Sequence, residues 1–311
     1  MKKVMNIFDM DISHSNSWKE AGLECGIRGE ENVHLITSPN VVEWVRENES
    51  FNEENDNTGI TVITDCFLKP QFKEGIDLLD CLTKIGLIIE SPIVHPHVYG
   101  DIFLLEDCFD FIFTFDKKLL ESNPRKYKFI SADWVCIEEI SHDISEKNKL
   151  VSMIYSHHKD GDRQLRHMVA NKFKEKLDLF GSGSTKGETL LKSQTLNDYR
   201  FSIVMENCIS DYYYTEKIID CFITGNVPLY RGTECISEFF DSGGIIQWKT
   251  LDELQEIIEN LSIEQYDKML PSIKKNFELA HKYINPDDIL YELIQKCLDN
   301  NKYDTKKEFL L

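Results

Sequence analysis

Between residues 199 and 232 the apolar run Tyr199-Arg-Phe-Ser-Ile-Val-Met205 leads into the polar pair Glu206-Asn207. Tyr213-Tyr-Thr215-Glu216-Lys217 follows, and then a second apolar stretch with Gly225, Pro228, Tyr230, Arg231 and Gly232. A buried strand that runs into a carboxylate and an amide sets polar groups just past its carboxyl end, where open α/β sheets collect ligands. Thr215 is placed to cap the helix that comes next and Gly225 to end it; Ile218, Ile219, Phe222 and Ile223 form its inward stripe. Lys217 then falls in the first helical turn, where the macrodipole disfavours a cation by about 0.3–1 kcal/mol. Either the lysine points to solvent, or an anion sits at the helix amino end and the lysine joins the backbone N–H groups in holding it.

The elements that must position these groups alternate in a βαβ rhythm. Strands are predicted over 3–8, 33–37, 59–64, 85–89, 109–115 and 127–131, with helices over 17–25, 41–46, 71–83 and 116–122. The acidic, Asn-rich stretch 48–57 reads as a solvated loop, and the charged stretch 138–148 as a linker. The rhythm then restarts: strand 150–155, helix 163–177, strands 179–180 and 201–205, helix 216–224, strand 227–230. Helices over 251–261, 263–283 and 287–300 complete the chain. Mostly parallel sheets covered on both faces follow from this order. The expected fold is α/β of the GT-B type, two Rossmann-like domains facing a central cleft with C-terminal helices. The expected division is an N-terminal Rossmann-like domain over 1–145, a second Rossmann-like domain over 146–285 and a helical tail over 286–311.

The 311 residues are 41% hydrophobic and 29% charged, a globular composition with room for two cores. A net charge of -19 argues against DNA or RNA as a partner but leaves room for a small anionic ligand in a local basic pocket. Nine cysteines, odd in number and without a CxxC pair, read as free buried thiols. No apolar run is long enough to cross a bilayer, and the opening Met1-Lys2-Lys3 with the apolar residues after it is too short for a signal peptide, so a cytoplasmic location is expected.

The 199–232 segment resembles the C-terminal signature of the alpha-1,3-fucosyltransferases, glycosyltransferase family ten. An F-x-I-x-x-E-N strand end, a Y-x-T-E-K helix start and a G-x-V-P-x-Y-x-G strand occur in that order at 201–207, 213–217 and 225–232. Arg231 stands where an aromatic residue is usual in the family's bacterial members. Upstream, Gly161-Asp-Arg163-Gln-Leu-Arg166-His167 before Leu177-Asp-Leu-Phe-Gly181 is similar to the family's arginine-bearing helix and aromatic-Gly strand end. Glu90-Ser91-Pro92 and Phe109-Asp-Phe-Ile-Phe-Thr-Phe-Asp116 resemble its E-S-P element and F-D-x-x-F-T strand.

The resemblance implies an inverting transfer of fucose from GDP-fucose to a hydroxyl of an N-acetylglucosamine- or glucose-containing glycan. Such a displacement passes through an oxocarbenium-like transition state and needs a carboxylate to take the acceptor proton and positive groups to hold the departing diphosphate. Glu90 is the implied base. Arg166 and Lys217 are the implied clamp, with Asn207 donating to phosphate. Tyr213 is expected to line the donor site, and Glu216 to contact the ribose or lie near the sugar cation. Arg163, the rival of Arg166 for the pyrophosphate, joins Glu206 and Arg231 as a second rank of donor-binding residues.

With cations supplied by the protein, no metal or other cofactor is expected. Asp9-Met-Asp11 and Asp160-Gly-Asp162 match the D-x-D pattern of metal-dependent transferases, a pattern common by chance. His157-His158 lacks partners at zinc spacing, and Gly181 to Gly187 is not a P-loop. Trp18 reads either as a stacking platform for an acceptor sugar or as a buried helix residue. The alternatives are the same fold and mechanism with another nucleotide sugar, and a non-catalytic glycan- or nucleotide-binding protein.

Overall fold

The computed structural model describes residues 3–8, 42–46, 56–79, 81–132, 135–137, 140–159, 163–184 and 191–300. Two parallel sheets organise them. The first holds β1 (Lys3–Phe8), β2 (Val42–Arg46), β3 (Asp56–Thr64), β4 (Thr83–Ile88), β5 (Phe111–Thr114) and β6 (Tyr127–Phe129), in the order β2-β1-β3-β4-β5-β6. The second holds β7 (Lys149–Ile154), β8 (Asp178–Phe180), β9 (Tyr199–Met205), β10 (Val227–Arg231) and β11 (Ile246–Gln247), in the order β11-β10-β9-β7-β8. Every recorded strand pair is parallel. β4 and β9 are buried along almost their whole length, which is why they read as continuous apolar runs instead of alternating ones.

The helices are α1 (Lys73–Leu78), α2 (Pro96–Asp101), α3 (Lys117–Ser122), α4 (Arg163–Phe173), α5 (Glu216–Ile223), α6 (Leu251–Asn260), α7 (Ile263–Ala280) and α8 (Pro286–Asn300). Val169, Ala170 and Phe173 of α4, Leu254 and Ile258 of α6, and Tyr266 and Ile273 of α7 pack with β7, β9 and β10 into one core. Leu290, Leu293, Ile294 and Cys297 of α8 return to the first sheet and pack on Ile60, Val62, Ile85 and Leu87. A third core joins the two sheets through α5: Ile218, Ile219, Phe222 and Ile223 share it with Phe115, Tyr127 and Phe129.

The strand ends meet where that third core reaches the surface. Phe115, just past β5, packs its ring 4.8 Å from that of Tyr213. Phe129 of β6 stacks on Phe239 at 5.3 Å. Lys117 pairs with Asp211 at 3.5 Å. The carboxyl ends of the first sheet therefore abut the loop that leaves the carboxyl end of β9.

Several expectations are corrected. Where a helix is expected over 41–46, Val42–Arg46 is strand β2 and pairs with β1 from Lys3↔Val42 to Ile7↔Arg46. Val-Glu-Trp-Val-Arg is too short for periodicity to decide, and a β-branched, aromatic stretch beside an open edge takes the ladder. The helix expected over 71–83 shrinks to a 3-10 turn at Pro70–Phe72 and α1, because Thr83 is taken into β4 by its pairing with Ile60. The loop expected over 48–57 ends sooner, since Asp56 and Asn57 open β3. Cys136 is disulfide-bonded, so the expectation of thiols alone does not hold there. Chain spacing carries no information on which cysteines meet in space. Cys81, Cys108, Cys208, Cys221, Cys235 and Cys297 are thiols outside any disulfide. The strand over 33–37, the helix over 17–25, Trp18, Asp9, Asp11, Asp160 to Asp162 and Lys186 lie outside the described residues.

Candidate active site

β9 ends at Met205 beside Arg231 of β10 and delivers Glu206 into the gap before α5. There Glu206 is almost fully buried, and its carboxylate accepts from the Thr215 N–H at 3.0 Å and the Thr215 hydroxyl at 2.7 Å. Thr215 thus makes no side-chain cap for α5, in contrast to the sequence expectation. A buried carboxylate is the stronger acceptor, and a charge-assisted bond to it wins over the neutral cap. Burial raises the Glu206 pKa against the lowering pull of Lys217, whose ammonium lies 3.6 Å away. Lys217 also donates to the Thr215 hydroxyl at 2.8 Å and to Glu216 at 3.1 Å. A cation in the first turn of a helix is tolerated because two carboxylates surround it.

Arg166 reaches the same place from α4. Only 7% exposed, it donates from one terminal nitrogen to the Met205 carbonyl and to Asn207 Oδ1 at 2.8 Å. Burial lowers its pKa, while the Glu206 and Glu216 carboxylates favour its charge. A guanidinium with little water around it, held by a carbonyl and an amide, retains a strong field for an incoming anion.

A cavity of about 190 Å³ opens between the ends of β7 and β9 and the first turn of α5. Arg166, Lys192, Glu216 and Lys217 all line it, with Tyr155 and Ser156 beyond β7 on its wall. Lys192 is a residue that sequence reasoning missed. Nothing in its neighbourhood marks it, and only the fold sets its ammonium 4.0 Å from Glu216 and 2.5 Å from the fully buried Asp220 of α5.

Other candidates stand elsewhere. Asn207 spends its carbonyl oxygen on Arg166, which leaves the amide nitrogen as its donor. Tyr213 is buried against Phe115 and is not part of the cavity wall; its phenol pKa is pushed up by burial, and also by Glu206, Glu90 and Glu216. Arg231 lies over the Trp248 ring at 5.9 Å. Arg163 is one turn of α4 before Arg166 and lies outside the cavity wall. His157 and His158 pack their rings 4.3 Å apart.

Glu90 follows β4 directly, and its main chain is held on two sides. The buried Asp65 carboxylate accepts from the Ile89 N–H at 3.2 Å and the Glu90 N–H at 3.4 Å, and the Tyr99 hydroxyl donates to the Glu90 carbonyl at 2.5 Å. Asp65 has its pKa raised by burial, with Glu90 adding to the effect.

The family-model match falls on the half of the molecule that holds the second sheet. Residues 144–282 match the family model described as glycosyltransferase family 10 (fucosyltransferase), C-terminal. That match is to the C-terminal part of the family's proteins. An alpha-(1,3)-fucosyltransferase of Helicobacter pylori is 28% identical over 112 residues, 36% of this chain; the aligned part is 20% of that relative's length. Among solved structures, an alpha-1,3-fucosyltransferase with GDP-fucose superposes with a TM-score of 0.51 at 15% identity, covering 92% of this chain and 91% of its own. HepE of Anabaena in complex with UDP-glucose superposes at 0.58 and 9% identity, covering 95% of this chain and 100% of its own. The fold is of the GT-B type. The family 10 region begins just before β7 and ends in the 3-10 turn after α7, so Arg166, Lys192, Glu216 and Lys217 all belong to it.

Among the described residues no helix is long and apolar enough to cross a membrane.

Proposed function

We propose that the protein is an inverting, metal-independent fucosyltransferase that moves fucose from GDP-fucose to a glycan hydroxyl. The convergence of Arg166 and Lys217 on one cavity at the amino end of α5 carries this reading, together with the family 10 signature and the likeness to a fold that holds GDP-fucose. In the reaction, the Glu90 carboxylate takes the proton of the acceptor hydroxyl as its oxygen attacks the anomeric carbon from the face opposite the diphosphate. The new glycosidic bond forms as the bond to the β-phosphate oxygen breaks, and the electron pair leaves with GDP. Arg166 and Lys217 stabilise the charge that develops on that oxygen, and the amide of Asn207 donates to a phosphate. Glu216, beside Lys217 on the cavity wall, is assigned in this reading to the ribose or the developing sugar cation.

A second reading keeps fold and mechanism but changes the donor. It is favoured by Arg231, which replaces an aromatic residue and turns onto Trp248. Incubating the protein with GDP-fucose, GDP-mannose and UDP-glucose, each with and without EDTA, and following nucleotide release separates the two. Release from GDP-fucose alone, undiminished by EDTA, with inverted anomeric configuration by NMR, is the expected result. Release from GDP-mannose or UDP-glucose and not from GDP-fucose establishes the second reading. No release from any donor supports the non-catalytic alternative.

A further inference from the structure

The fold assigns Lys192 to the cavity, and we propose that it is a further ligand of the donor's phosphates, aimed there by the buried carboxylate of Asp220. This rests on the nucleotide-sugar reading above and deepens it. Asp220 has no exposed surface. One of its oxygens accepts from the Cys136 N–H at 2.6 Å, which ties α5 to the segment leaving the first sheet; the other stands 2.5 Å from Lys192 Nζ. Lys192 is 16% exposed, lines the cavity beside Lys217 and Arg166, and reaches to 4.0 Å from Glu216.

Two explanations compete for this geometry. Lys192 serves only to neutralise Asp220, or the pair serves to present a cation to the cavity. Placement favours the second. All three cations of the cavity wall have protein partners, Lys217 in Glu206 and Glu216, Arg166 in a carbonyl and an amide, and Lys192 in Asp220, yet Lys192 lines the cavity instead of being sealed beneath it with Asp220. A diphosphate brings at least two negative charges. Lys192, on the cavity wall with Asp220 behind it, is placed to share its donors between the carboxylate and a phosphate oxygen. Asp220 is then a positioning residue: it fixes an otherwise flexible side chain so that less ordering is left to binding.

The variant that separates the two explanations is K192M/D220N, which removes the cation and its buried partner together and leaves no uncompensated buried charge. GDP and guanosine binding are measured by calorimetry for parent and variant. The expected outcome is a folded double variant that binds guanosine like the parent but GDP at least ~10-fold more weakly. Parent-like GDP affinity in the double variant overturns the proposal. An independent readout needs no substitution: in the parent, GDP and not guanosine slows acetylation of Lys192 followed by mass spectrometry, and an unchanged rate also overturns it. Should the parent bind UDP and not GDP, the fucose-donor reading fails, while the Lys192 test runs unchanged with UDP against uridine.

Discussion

The backbone of Glu90 is anchored on both sides. Asp65 accepts from its N–H, and Tyr99 donates to its carbonyl. A side-chain change at this position therefore leaves those anchors in place. Glu90→Gln is expected to keep the fold and the KM for GDP-fucose while kcat falls by about 10²–10⁴, the range for loss of a general base. A transfer assay with parent and variant checks this; a variant with parental kcat removes Glu90 from the reaction. At the same scale, the Glu206 carboxylate shows how a motif residue serves a site without lining it. It binds the Thr215 amide and hydroxyl and faces Lys217, so it fixes the first turn of α5 from beneath.

At the scale of elements, the segment before β7 acts as a clasp. Lys147 is buried and donates to the Asn197 carbonyl at 2.8 Å and the Thr224 carbonyl at 2.5 Å, joining the approach to β9 with the end of α5. Gly225 ends that helix at φ 75°, and an added Cβ would stand 2.5 Å from the Ile144 side chain, so only glycine fits. Lys147→Met leaves two buried carbonyls without their donor and is expected to cost about 1–3 kcal/mol at pH 7. Burial pulls the Lys147 pKa down from 10.5 to about 8. Between those values the unfolded chain holds more protons than the folded one, so the parent gains stability relative to the variant as pH rises through that window. Urea denaturation of both proteins at pH 7 and pH 10 tests the magnitude and the sign; a gap that narrows on going to pH 10 contradicts it.

The whole molecule is tied together twice. α5 packs against the strand ends of the first sheet, and α8 returns from the far end of the chain to cover Ile60, Val62, Ile85 and Leu87. Ile294 is fully buried in that second junction. Ile294→Ala is expected to lower stability by about 2–5 kcal/mol, the range for a large-to-small core change. Chemical denaturation measures it, and a loss below ~1 kcal/mol would mean that α8 is not a structural part of the first core.

The βαβ order, the strand identity of β4, β9 and β10, and the polar groups at the end of β9 were all readable along the chain, because period and strand-end chemistry are local properties. Arg166, Glu216 and Lys217 were nameable for the same reason, each sitting inside a short motif. Spatial company is another matter. Residue type does not say that Lys192 meets Asp220, that Thr215 turns its hydroxyl to Glu206 instead of capping α5, or that Tyr213 packs against Phe115. Nor does it say that Val42–Arg46 is a strand, since that segment acquires its conformation from β1. Contacts between residues distant in sequence are decided by strand pairing and side-chain direction, and these exist only once the chain has closed on itself.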